Sequence, residues 1–478
     1  MINRRKFIRT VGIASAALSS GLPVFGRSHG RPFISNRPLP EKRRFVSMAV
    51  EETILNVKKI MADDELAWMF ENCFPNTLDT TVSYTEKNGE PSTYIITGDI
   101  DAMWLRDSSA QVWPYLQLAN KDEKLKKLLK GVITKQAEFV LLDPYANAFY
   151  DDPQRISEWK DDLTTMKPGV HERKWEIDSL CYVIRLAYGY WEHTGDVSAF
   201  TGRWQEAMKL IILTLREQQR LDKKGPYRFQ RFANNPTDTQ AGNGYGNPTK
   251  KIRLIHSMFR PSDDSTIFPF LVSSNMFAVV SLLQLGEIFA KALADEKMEN
   301  ECKRFAGEID QALKQYAILQ HPTAGTIYPL EIDGFGNALF MDDANVPNLL
   351  SLPYLGYCDS TDQIYLNTRK FSLSHSNPWY NEGKYAKGIG GPHVGEKKIW
   401  PLGIIMQALT SNSDKEIIDC LAMLKKTHAG TGFIHESFHV DNPNDFSRTW
   451  FAWANTLFGE LILYLYNNKP ELLKVQLG

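Results

Sequence analysis

Apolar positions recur at three- and four-residue steps along most of the chain, and period-two alternation is scarce, so the sequence predicts helices nearly throughout. The helices are of two kinds, and they alternate. One kind is amphipathic, over about 46–71, 123–142, 200–219, 296–317, 361–371 and 413–426. In the second of these, Leu125, Leu128, Leu129, Val132, Ile133, Ala137, Val140 and Leu141 form a stripe, and Lys124, Lys126, Lys127 and Lys130 fill much of the rest. Such a helix buries one face and wets the other. The other kind is apolar nearly all round, over about 107–120, 175–194, 273–293, 346–356, 400–409 and 447–466. A helix apolar on every side is expected to be covered on every side. Pro353 interrupts the 346–356 element.

The connections alternate as well. Links leaving a buried helix are short, as in "NKDE", "GDVS", "ADEK" and "SNSD". Links leaving an amphipathic helix are long, over about 143–174, 220–272, 318–345, 372–399 and 427–446. Ordinary connections run to about four to six residues, and much longer ones tend to carry function. Six helical hairpins closed into a ring account for both patterns, with buried helices inside, amphipathic helices outside and all long loops on one face. The expected fold is all-α, an (α/α)6 barrel forming one catalytic domain over 45–478. An open helical solenoid would carry a sequence repeat, and none is visible.

Composition narrows the function. With 43% hydrophobic and 23% charged residues the chain reads as globular. A formal net charge of -1 excludes a general nucleic-acid binder, which needs a basic surface. The five cysteines are scattered and show no C-x-x-C, so neither a disulfide framework nor a zinc motif is expected. Residues 1–30 look like a signal peptide of the twin-arginine type: Arg4-Arg5-Lys6 precede an apolar stretch from Val11 to Leu18. The expected location is outside the cytoplasm, periplasmic or secreted. No later stretch looks apolar enough to enter a membrane, so no membrane insertion is expected once the signal is removed.

Candidate chemistry collects where the long loops enter the buried helices. The entrances are "TGDIDAMWLRDSSAQ", "GVHERKWEIDSL", "FRPSDDSTIFPF", "FMDDANVP", "GIGGPHVGEKKIWP" and "GFIHESFHVDNPNDFSRTWFAWAN". Each places acids, a His or an Arg beside aromatics, and in a closed ring all six meet at one end. Asp, Glu and Arg side chains match sugar hydroxyls, and aromatic rings match sugar C–H faces. Hydrolysis of a glycosidic bond needs two carboxyl groups in complementary roles. There is no H-E-x-x-H, no phosphate loop and no G-x-S-x-G. Asp107 can cap the helix that starts beside it or bind ligand. Residue chemistry alone leaves Asp263 and Asp264 equivalent.

Five blocks in the same order, "TGDIDAMWLRDSSAQVWPYL", "FRPSDD", "GGPHVG", "FIHESFH" and "WFAWANTLFGELI", resemble glycoside hydrolase family 125, from about residue 45 to the C-terminus. The resemblance implies an (α/α)6 barrel and an exo-acting, inverting α-1,6-mannosidase that uses no metal and no other cofactor. It implies a mannose-containing glycan as partner, an N-glycan or a mannan. It puts the general acid on Asp263 and the general base on Glu436. Around them, position alone suggests Asp99, Asp101, Arg106, Asp107, Asp264 and His393 as ligands for mannose hydroxyls, with Trp104 and Trp175 as platforms. Two other functions fit the same loops: another carbohydrate-active enzyme of this barrel, such as a glucoamylase-like hydrolase or a phosphorylase, and a glycan-binding protein without catalysis.

Overall fold

The computed structural model describes residues 33–478, and the signal-like segment 1–30 lies outside them. Ser35–Gly478 forms one compact unit. Its helices follow the alternation in the sequence. The stretch expected as one helix over 46–71 is two, α1 (Met48–Ile60) and α2 (Asp64–Cys73). Asp63 makes the break: its carboxylate accepts from Leu66 N at 2.9 Å and from Lys425 Nζ at 2.7 Å, so the chain turns there. The short α3 (Asn76–Thr80) leads into a hairpin of β1 (Val82–Lys87) and β2 (Glu90–Ile95). Asn88 and Gly89 close the hairpin with φ of 54° and 78°, the left-handed pair a two-residue turn demands.

Then come α4 (Leu105–Val112), continued as a 3-10 turn to Lys121, α5 (Glu123–Leu142), α6 (Ile177–Thr194) and α7 (Gly202–Gln218). After the longest connection follow α8 (Val272–Lys291), α9 (Glu296–Tyr316), α10 (Leu352–Leu355), α11 (Gln363–Ser372), α12 (Pro401–Leu409), α13 (Asp414–Thr427) and α14 (Ala452–Asn468). Helix α4 packs on α6, α6 on α8 and α8 on α10, while α12 packs on α14 and α14 returns to α4. Outside that ring, α2 lies on α14, α5 on α6, α9 on α8 and α13 on α12. The fold is an (α/α)6 barrel.

Two elements depart from expectation. The inner helix expected over 346–356 is a single turn, α10. Ahead of it, the buried carboxylate of Asp342 accepts from Leu349 N at 3.0 Å and Leu350 N at 3.2 Å. Side-chain acceptors replace the helical ladder there, and Pro353 supplies no N–H to rebuild it. Helix α8 is, by length and composition, apolar enough to cross a membrane, contrary to the expectation above. It is the central wall of the barrel, covered by α6, α9 and α10, and all-round burial explains its apolarity.

The long loops are pinned by short strands. Met103–Trp104 pairs with Ala148–Phe149, which pairs with Val170–Glu172. Lys398–Ile399 pairs with Ser437–His439, which pairs with Asn442–Ser447. These ladders fix the loop ends from which the candidate residues project.

Candidate active site

One pocket gathers side chains from five of the six entrances, among them Trp104, Arg106 and Asp107, then Asp263, Asn345, His393, Glu436 and Arg448. The buried rings of Trp104, Trp400, Phe451 and Trp453 supply its apolar wall. The indole N–H groups of Trp104 and Trp400 are buried without a partner. Buried donors are nearly always satisfied, and two orphans lining one pocket are suited to ligand oxygens.

The loop Arg260–Asp264 decides which of its two acids faces the pocket. Asp263 N donates to Arg260 O at 2.9 Å, and Arg260 N donates to Asp264 O at 2.8 Å, which closes a tight turn. Asp263 takes φ of 67°, a left-handed conformation that Asp tolerates better than most residues. Its side chain is 27% exposed and lines the pocket. Asp264 turns inward, where it accepts from Thr237 Oγ1 at 2.7 Å and Ser262 Oγ at 3.3 Å.

The turn hangs on a buried ion pair. Arg260 Nε donates to Glu331 Oε1 at 2.6 Å, and Glu331 Oε2 accepts from both Ile267 N and Phe268 N at 2.9 Å. Both side chains are at most 3% exposed. Glu331→Ala strands the Arg260 charge and two backbone donors, so we expect it to cost about 3–5 kcal/mol of stability, read by urea unfolding. Wild-type stability in that variant would mean that the pair does not hold the turn.

Arg106, on the first turn of α4, lies under Asp263. Its Nη2 is 3.3 Å from Asp263 Oδ1, and its Nη1 reaches Glu176 Oε2 at 2.6 Å and Asp178 Oδ2 at 3.1 Å. Asp107 Oδ2 lies 3.7 Å from Arg106 Nε, and Asp107 Oδ1 accepts from Thr97 Oγ1 at 2.5 Å. Burial outweighs these partners and raises the Asp107 carboxyl above its usual range. Burial likewise raises Asp178 to about 6.

Glu436 enters from the far side of the sequence, one residue before the strand Ser437–His439. Ser447 Oγ donates to its Oε2 at 2.8 Å, and Arg448 Nη1 lies 3.5 Å from its Oε1. Arg448 is anchored in turn by Asp99, whose Oδ1 accepts from Nε at 2.8 Å. The close approach of this loop requires Gly98: a Cβ there would sit 2.4 Å from Trp450 O. His393 lines the same pocket, with Nδ1 3.6 Å from Asp264 Oδ1. Burial opposes its charge, but Asp264, helped by Glu436 and Asp263, raises it to about 9, so it is a cation at neutral pH.

Of the residues expected from sequence, Asp263, Glu436, Trp104, Arg106, Asp107 and His393 line this pocket. Four do not. Trp175 is a core residue, 1% exposed, with Nε1 donating to His256 O. Asp101 projects outward and pairs with Arg155 at 2.6 Å. Asp99 holds Arg448, and Asp264 holds the turn and His393. Sequence reasoning missed Arg448, Asn345, Trp400 and Trp453. Arg448 and Trp453 stand in the same entrance as Glu436, and Trp400 closes the Gly-rich one, so the sequence points to their entrances and not to their side chains.

A model of the metal-independent α-mannosidases, glycoside hydrolase family 125, matches residues 63–463. The meiotically up-regulated gene 157 protein of Schizosaccharomyces pombe is 43% identical over 456 residues, 92% of this chain and 89% of its own. A metal-independent α-mannosidase of Streptococcus pneumoniae, solved as a non-productive complex with α-1,6-mannobiose, superposes with a TM-score of 0.85 at 41% identity. That match covers 89% of this chain and all of the other.

Proposed function

The chain belongs to the metal-independent α-mannosidases of glycoside hydrolase family 125, and from that premise we propose that it is an exo-acting, inverting α-1,6-mannosidase acting on an N-glycan or a mannan. One observation carries the reading beyond the family. Asp263 and Glu436 open on one pocket from separate loops, and each is held by its own arginine, Arg106 and Arg448. The Streptococcus pneumoniae relative bound to α-1,6-mannobiose supports the linkage.

In this mechanism Asp263 gives its proton to the glycosidic oxygen as the C1–O bond breaks, and the electron pair of that bond stays on the leaving oxygen. Glu436 takes a proton from the water that attacks C1 from the opposite face. Water ends on C1 with inverted configuration, and the two carboxyl groups exchange protons with solvent before the next turnover. The half-buried Arg448 and the charged His393 steady hydroxyls in the pocket, and Trp104, Trp400 and Trp453 enclose the terminal ring. Proton NMR of α-1,6-mannobiose with the enzyme should show β-mannose first. Early α-mannose would instead mean a double displacement.

The reading includes export through the twin-arginine-type segment. Expressed with residues 1–30, the protein should fractionate outside the cytoplasm, and Arg4-Arg5→Lys-Lys should retain it inside. Equal distribution of the two forms would sink the export proposal.

A further inference from the structure

Glu176 sits at the N-cap of α6, 1% exposed, beneath Asp263 and outside the pocket wall. Its Oε2 accepts from Arg106 Nη1 at 2.6 Å and Ser179 Oγ at 2.8 Å. Its Oε1 is buried with no donor facing it, and Asp263 stands on the other amino group of the same guanidinium. A bare buried carboxyl oxygen beside a second carboxyl group is satisfied by a proton between the two, whereas two buried carboxylates repel.

The charge around them favours a retained proton. Among the described residues Arg106 is the one cation ion-paired to Glu176, Asp178 and Asp263, and Asp107 approaches the same guanidinium. Full ionisation of four acids around one buried cation is disfavoured, so protons are retained within the group. The nearby cations are engaged elsewhere, Arg448 with Asp99 and Glu436. Lys174 pairs with Glu172 and Asp238, touching Asp263 only at its backbone carbonyl, and His393 faces Asp264. Behind Asp263, His171 is held neutral by burial, and Asn147 Nδ2 bridges Asp263 to Glu172.

We propose that Glu176 and Asp263 share one proton, and that this shared proton is the one Asp263 delivers to the leaving oxygen. Glu176 is thus a positioning residue for the acid, and the proposal rests on Asp263 being that acid. With the proton on Asp263, the ionised Glu176 is stabilised by Arg106 and Ser179. After the O–H bond of Asp263 breaks and the leaving oxygen gains the proton, Arg106 bridges both carboxylates, Nη1 on Glu176 and Nη2 on Asp263. Solvent returns one proton to the pair. An ionised neighbour disfavours loss of the proton the two carboxyl groups share, so the pH dependence of turnover reads the pairing. Burial, with Asp178 and Asp263 adding to it, keeps Glu176 well above the usual carboxyl range, in line with this arrangement.

The test is the rate–pH profile of Glu176→Gln, which keeps shape and removes the shared charge. On α-1,6-mannobiose the alkaline limb of kcat/KM should move down by about one to two pH units, with the acidic plateau within about fivefold of wild type. On 2,4-dinitrophenyl α-mannoside, which leaves without protonation, that limb should be absent from both enzymes. A uniform loss at every pH, or no change, overturns the pairing and leaves Glu176 as a structural partner of Arg106. Should Glu176→Gln fail to fold, carboxyl-labelled glutamate decides by 13C NMR. One glutamate midpoint should fall on Asp263→Asn, and unmoved midpoints overturn the proposal. If Asp263→Asn itself hydrolyses mannobiose normally, the acid assignment has failed, whatever Glu176→Gln does.

Discussion

Glu436→Gln should lower kcat on α-1,6-mannobiose by about 10³-fold with KM little changed, since a positioned general base supplies about 10²–10⁴ in rate. The fold should survive. The amide oxygen of Gln can still accept from Ser447 Oγ, and Arg448 keeps Asp99 as a charged partner. What is lost is only the capacity to take a proton from water. An amide cannot do that, and no other carboxylate is placed to substitute. Asp99 and Asp264 are committed to Arg448 and to His393, and Asp107 to Thr97 and Arg106. Mannose release by purified Glu436→Gln within tenfold of wild type would move the base elsewhere in the pocket.

The barrel was legible in the sequence because two independent signals agreed. Periodicity separated buried from amphipathic helices, and loop length separated one face from the other. Both signals fail where side chains replace backbone bonding. At 346–356 the apolar run promised a helix, but Asp342 and Asn348 cap the backbone before Pro353, and only α10 remains. The break at Asp63 was written as Asp–Asp–Glu, an N-cap signal inside an apparently continuous stripe. The hairpin β1–β2 carries its own turn signal in Asn88-Gly89, between the stretches read as helices.

The site was legible by segment and less so by residue. Acids near an apolar helix start were expected to face ligand, yet a loop this charged must also hold itself together. Asp99 and Asp101 stand two residues apart and neither lines the pocket, one tying down Arg448 and the other Arg155. Trp175 has the composition of a sugar platform and the burial of a core residue, because its N–H is satisfied by His256 O inside the protein. Trp104 and Trp400 differ in one respect visible only in three dimensions: their N–H groups have no protein partner. Asp263 and Asp264 are separated by a backbone dihedral, a φ of 67° that sends adjacent side chains to opposite sides of the turn.

That dihedral makes Asp263→Asn the sharpest probe of the acid. Asn tolerates the left-handed region as Asp does, so the turn is kept, whereas Ala would add backbone strain to the chemical loss. The amide oxygen can still accept from Arg106 Nη2 and Asn147 Nδ2, the two donors on Asp263 Oδ1. Only the transferable proton disappears. The cost should therefore follow the leaving group. On α-1,6-mannobiose, whose departing alkoxide needs protonation, kcat/KM should fall by about 10³-fold or more. On 2,4-dinitrophenyl α-mannoside, whose phenolate leaves unaided, it should fall by less than about tenfold, because Glu436 and its water are untouched. A parallel loss on both substrates would mean that Asp263 binds the sugar rather than protonates the bond, and equal activity on both would remove it from the chemistry. Between those outcomes, dependence on the leaving group is the signature that only a proton donor leaves behind.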